Sequence, residues 1–387
     1  MKLSLRLWAA GFACALAAGC ATPPPAPLAV PSDLFNDARF GAASQQINAD
    51  RLFDMSPEMI AYLNSGVFKT AIQRRGPEQG LVDALYDRQS LRLDYDGSIT
   101  RTAAETYAAK RGNCLSLVLM TAAFARALKL DVRFQDVQLD TEWNRDGDLY
   151  MGYTHVNLSI SVPSTGTSYA MSPDRTTIDF VPPPQTAKQR FNRLTENMVR
   201  AMYMNNRAVE EFASGHYDNA YWWAKAALER EPGLVKAYNT LGVVYQKHGD
   251  SLLAERVYKR ALALAPADTV VMNNLAPLLE VLGKVEESRA LKALATRLDP
   301  EPPFYFYEKG VKAMEAGRFV EARQLFGREV RRSPYNHEFH YWLAMAHVRL
   351  GEAKAARDEM AIALDNSTST DASKRYSSKL AALRALR

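Results

Sequence analysis

The sequence predicts an α+β domain followed by an all-α repeat array. Three observations carry this. Glycines recur every 34 residues from Gly215 to Gly351, and prolines from Pro232 to Pro334 keep the same step. Upstream, a helical run from about Cys114 to Lys129 gives way to the period-two segments "HVNLSISV" and "TTIDFV". The 387 residues, 47% of them apolar, suffice for two domains of ordinary size with packed cores.

The N-terminus reads as an export signal over residues 1–19. Lys2 and Arg6 precede "LWAAGFACALAAG", an apolar run too short to span a bilayer. It ends in "LAAGC", and a proline-rich tether follows over residues 20–32. This arrangement resembles a bacterial lipobox, with Ala17 where leucine is preferred. The resemblance implies that Cys20 is lipidated. Ala21 is not the aspartate that typically retains such proteins at the inner membrane, so the implied place is the periplasmic face of the outer membrane. Without Lys2 and Arg6 the 48 basic residues fall to 46, against 43 acidic ones. That balance gives no clustered basic face, and nucleic acid is excluded as a partner.

The chain has three cysteines. Cys14 leaves with the leader and Cys20 takes lipid, so Cys114 has no second cysteine for a disulfide. A lone thiol in an oxidising compartment is a liability unless it is buried or used.

The front domain is expected over residues 33–185. Helical stretches are predicted around Ser56–Asn64 and Gln79–Tyr86. "TRTAAETYAAKRG" reads as a helix capped by Thr100 or Thr102 and stopped by Gly112. The next helix opens at Cys114, with Leu115, Val118, Leu119 and Ala122 as its apolar stripe. In the first strand Val156, Leu158, Ile160 and Val162 form one face, and His155, Asn157, Ser159 and Ser161 the other. In the second, Ile178 and Phe180 oppose Thr177 and Asp179. "PSTGTS" between them supplies turn residues, so a hairpin brings His155 and Asp179 together on its polar face. Asp174, in "SPDR", reads as turn chemistry. His155 is the only one of six histidines in this domain.

A cysteine opening a helix, then a histidine and an aspartate on successive strands, resembles the transglutaminase-like branch of the papain-like cysteine enzymes, over roughly Gln79–Pro182. The resemblance implies a helix packed on an antiparallel sheet. It gives Cys114 the nucleophile position, His155 the base and Asp179 the orienting carboxylate. Where the family often has tryptophan, two residues after the histidine, this sequence has Asn157. Such a triad fits acyl transfer at an amide. The sulfur attacks, imidazole protonates the leaving amine, and the carboxylate fixes the imidazole tautomer.

The array occupies residues 186–366, as about five repeats. "AYNTLGVVYQKHGDSLLAERVYKRALALAP" (237–266) matches the tetratricopeptide pattern at Leu241, Gly242, Tyr245, Gly249, Ala254, Tyr258, Ala261 and Pro266. Arg207 stands where leucine is usual, Glu329 replaces a small residue, and Asn366 replaces the last proline. Such solenoids offer a concave surface for a protein or peptide partner. "YWW" (221–223) and "FYFY" (304–307) are expected as core and groove wall. His337, His340 and His347 lie at helical spacing inside a repeat and are not read as a metal site. No cofactor is expected. Residues 367–387 read as a polar loop and capping helix. The leading function is therefore a lipid-anchored periplasmic cysteine amidase, peptidase or acyltransferase whose repeats dock a partner. The rival is a non-catalytic scaffold.

Overall fold

The computed structural model describes residues 29–86, 91, 93–97, 99–137, 143–146, 149–152, 155–163, 175–180, 191–367 and 370–385. Cys20, Asp174 and the "VPPPQ" joint (181–185) lie outside them. Residues 32–45, mostly expected in the front domain, run along the repeats instead. Two 3-10 turns, Ser32–Leu34 and Asp37–Arg39, shape this strap. Phe40 stacks on Tyr221 with ring centroids 3.9 Å apart. The Asn36 amide donates to the hydroxyls of Tyr221 and Tyr245 at 3.1 and 3.0 Å, and Lys225 pairs with Asp37 at 2.7 Å.

The front domain then begins. Ser56 caps α1 (Pro57–Asn64). Helix α2 (Gly66–Tyr86) is broken at Gly76, whose φ of +79° disfavours any L side chain, followed by Pro77. Only its second half is visible in the sequence; the first half buries little beyond Phe68. Strand β1 (Asp94–Tyr95) pairs in parallel with β2 (Arg111–Gly112). Between them, a reciprocal box of Thr102 and Glu105 starts α3 (Ala103–Ala109). This helix stops at Lys110 in the left-handed region, not at Gly112 as expected. Gly112 serves a different need, because a Cβ there would stand 2.6 Å from that of Ser116.

Helix α4 (Cys114–Ala127) packs on β3 (Asp131–Val137) and β6 (Val156–Ser161). Its predicted stripe is fully buried, but so is the rest of Cys114–Ala125, because α2, α3 and β2 cover the other side. The hairpin β4 (Trp143–Asp146) and β5 (Leu149–Gly152) comes between β3 and β6 in the chain and, among the described residues, pairs only with itself. With β7 (Thr176–Ile178) and β8 (Phe191–Leu194) the main sheet has the order β7-β6-β3-β8, antiparallel throughout. The sheet thus closes at Leu194, inside the interval assigned to the repeats. The predicted β6–β7 pairing forms, with Leu158 opposite Ile178. Its polar face is buried rather than solvated. Arg175 covers it, donating to Ser159 and Ser161 Oγ at 3.0 and 2.6 Å. Val162, expected in the apolar set, lies past the last rung and is 51% exposed.

Five helix pairs follow: α5 (Glu196–Ala213) with α6 (Tyr217–Arg230), α7 (Val235–Lys247) with α8 (Ser251–Leu264), α9 (Thr269–Val281) with α10 (Val285–Leu298), α11 (Tyr305–Glu315) with α12 (Phe319–Arg332), and α13 (His337–Arg349) with α14 (Ala353–Asp365). Helix α15 (Thr370–Ala385) ends the stack. The periodic glycines all turn within pairs at φ +72° to +86°. The irregular positions have local reasons. Glu329 is buried and accepts the amides of Phe306 and Tyr307 at the open start of α11. Arg207 pairs with Glu210 at 2.8 Å, and Glu210 in turn accepts the Thr100 amide of the front domain at 2.7 Å. One apolar core runs from Leu34 through α4 and the sheet to Leu279 in α9. Among the described residues no helix is long and apolar enough to cross a membrane.

Candidate active site

The site begins with a pinned turn. Asn113 caps α4, accepting from the Ser116 amide at 2.9 Å, and its Nδ2 donates to Thr100 Oγ1 at 2.8 Å. Ser116 Oγ accepts the Arg101 amide at 2.8 Å. This mesh fixes Cys114 at the first helical position. First-turn N–H groups of a helix lack intrahelical partners, and the helix dipole favours negative charge there. Cys114 is 8% exposed and in no disulfide.

His155 enters just before β6 and hydrogen-bonds Cys114. Its Nε2 donates to both Asp179 oxygens, at 3.0 and 3.1 Å, leaving Nδ1 for the sulfur. Extending the β6–β7 register by one residue sets Asp179 opposite Asn157, whose Nδ2 donates to Asp179 Oδ2 at 2.9 Å. The structure therefore brings Cys114, His155 and Asp179 into one relay. Burial pushes the His155 imidazole down, but its hydrogen bonds to Asp179 and Cys114 and their charges outweigh this and raise it to about 10. The imidazole is thus positive at neutral pH.

Residues given no role above surround the relay. Asn157 holds the carboxylate. It stands two residues after His155 on the same strand face, so the period-two pattern contained this signal. Tyr86 Oη donates to the Asp179 main-chain oxygen at 2.8 Å. Burial raises the Asp136 carboxyl, against Lys236 and His155. Lys236, from α7, is drawn down to about 8 by burial, against the charges of Asp136, Asp268 and Cys114. No local pattern announces Lys236; only the fold brings it here. A cleft of about 610 Å³ has Leu117, Tyr86, Asp94, Tyr95 and Phe180 in its wall, and Phe180 follows Asp179 in the chain.

The three histidines at helical spacing, His337, His340 and His347, have separate partners. His337 meets Tyr376 Oη at 2.8 Å, His340 meets Glu359 at 2.6 Å, and His347 meets Glu352 at 2.5 Å. Among the described residues no group of three or more His, Cys, Asp or Glu side chains is placed to hold a metal ion.

Comparison with known proteins agrees on the second half. The tetratricopeptide repeat family matches residues 235–268 and 307–369. The C-terminal part is a tetratricopeptide-type all-helical solenoid. The type IV pilus assembly protein PilF of Pseudomonas aeruginosa is 29% identical over 119 residues, covering 30% of this chain. The chain spans about half the length, 47%, of that curated relative. Among solved structures, the thermophilic repeat protein TTC0263 of Thermus thermophilus is 21% identical, covering 47% of this chain and 99% of that one, with a TM-score of 0.32. YrrB, a repeat protein with an unusual peptide-binding site, is 17% identical, covering 46% and 92%, with a TM-score of 0.26.

Proposed function

We propose that the protein is a cysteine-dependent acyl-transfer enzyme of transglutaminase-like type, an amidase, peptidase or transamidase, whose repeats dock a protein or peptide. The observation that carries this reading is the relay of Cys114 at a helix start, His155 and Asp179. Sγ attacks a substrate amide carbon while its proton resides on His155. The oxyanion forms next to the first-turn amides of α4, that of Cys114 among them. Collapse breaks the C–N bond, His155 gives its proton to the departing amine, and a thioester remains. Water releases an acid from it, or an amine releases a new amide. The wall joins Leu117, Phe180 and Tyr86 with the carboxylate of Asp94, which suits an acyl group carrying both apolar surface and a polar group. By the "LAAGC" motif and proline tether, we place the enzyme on a Cys20 lipid anchor at the periplasmic face of the outer membrane.

The test is acylation by p-nitrophenyl acetate. The wild-type chain gives a burst of about one p-nitrophenolate per chain, as covalent catalysis requires, with acetyl recovered on Cys114. Cys114→Ser gives none. A wild-type chain without a burst refutes the enzyme and leaves the scaffold.

A further inference from the structure

The first helices of repeats two to four already hold an occupant, and it is the chain's own hairpin. Strand β5 lies across α7 and α9. Tyr150 is gripped there by its main chain. Asn274 Oδ1 accepts its N–H at 2.9 Å, and the side-chain amides of Asn239 and Asn274 both donate to its carbonyl at 2.8 Å. Asn274 also donates to Asn239 Oδ1 at 2.8 Å, locking the two buried carboxamides together. The Tyr150 ring reaches α11, with its centroid 5.8 Å from that of Phe304 and its hydroxyl 3.4 Å from Glu308. These contacts read an extended backbone and one phenol. None of them depends on which chain supplies the tyrosine.

The clamp also adjoins the cleft. Two residues separate Gly152, the end of β5, from His155. On α7, Lys236 lies three residues before Asn239 and so on the same face, within electrostatic reach of Cys114. One helix face thus addresses both the hairpin and the thiol.

We propose that the Asn239–Asn274 clamp is the docking site for an extended, tyrosine-bearing segment of a partner protein, that β5 fills it in the resting chain, and that exchange of the two resets His155 beside Cys114. Only the last part rests on the relay described above. A segment tethered in the same chain competes at roughly millimolar effective concentration, so it weakens the apparent affinity of any outside peptide. Loosening the internal tyrosine must therefore strengthen binding in trans.

The experiment uses the full chain and a fluorescent peptide with the sequence of residues 143–152, read by anisotropy. Tyr150→Ala is expected to bind it at least about tenfold more tightly than wild type. Adding Asn239→Ala and Asn274→Ala abolishes binding, as does replacing the peptide's own tyrosine by alanine. Tyr150→Phe, which removes the hydroxyl and with it the contact to Glu308, gives a smaller gain in the same direction and serves if Tyr150→Ala does not fold. Saturating peptide changes the rate of Cys114 alkylation severalfold in the Tyr150→Ala chain. Equal affinities for wild type and the Tyr150 variants, or no binding to either, overturn the docking site. Tight binding with an unchanged alkylation rate overturns the link to His155. A thiol unreactive in every folded variant overturns the relay and that link, while anisotropy still judges the clamp.

Discussion

Replacing His155 by alanine leaves the Cys114 sulfur at the start of α4 without its positive partner. The helix terminus alone contributes about 0.3–1 kcal/mol toward an anion, a factor of roughly two to five. An imidazolium hydrogen-bonded to the sulfur contributes up to about 4 kcal/mol at an effective dielectric of 20, or nearly three orders of magnitude. Cys114 is 8% exposed and the His155 side chain 11%, so solvent screens the contact little. Wild-type Cys114 is therefore expected to react with iodoacetamide within minutes at pH 6, and His155→Ala to slow this by about ten- to a thousandfold. Asp179→Asn lies between the two, because the imidazole stays but loses its charged partner. Asn157→Ala has a milder effect in the same direction, since His155 keeps both contacts to a carboxylate that is less firmly held. Alkylation is followed by intact mass, with circular dichroism confirming the fold. Alkylation only after denaturation, or a wild-type rate in His155→Ala, refutes the coupling of sulfur and imidazole.

Three further outcomes follow from the same geometry. His155 titrates near 10 when folded and near 6.5 when unfolded, so its stabilisation is complete below about pH 6.5 and declines as pH rises toward 10; urea midpoints of wild type should fall more than those of His155→Gln over that window. Phe40→Ala removes a buried ring from Tyr221, a change costing about 3–5 kcal/mol in a closed core. Because the strap can detach, the expected result is trypsin cleavage at Arg39 at least about tenfold faster, and an unchanged rate contradicts the docking energy assigned to it. Cys20→Ser should move the chain from the membrane pellet to the soluble periplasmic fraction, and continued pelleting with the outer membrane refutes the anchor.

Much of the repeat array was legible because its constraints are local. A glycine every 34 residues marks a left-handed turn, and a small residue marks a close helix crossing, with no reference to the rest of the chain. The relay was legible for a related reason: alternation on two strands joined by turn residues places His155 and Asp179 on one face. Residues 32–45 carry no period at all, so their course over α6 and α7 depends on Tyr221 and Tyr245, far along the sequence. The hairpin was missed because β4 and β5 are four residues each and β5 is completed by two asparagines of the array. What covers the polar face of β6 was not legible, because a period of two reports two faces without reporting what lies over them; Arg175 and Asp179 cover this one.

The strap has a mechanical consequence. Its hydrogen bonds join residues 166 to 211 positions apart, from Gln45–Glu211 to Arg39–Asp250. The front domain therefore hangs in the loop between two ends that are fastened together. Tension applied at the N-terminal end passes through Asp37, Arg39 and Phe40 into the repeats without first crossing the sheet. A molecule held by that end and dragged by a bound partner at the other would take the load first along its strap and solenoid.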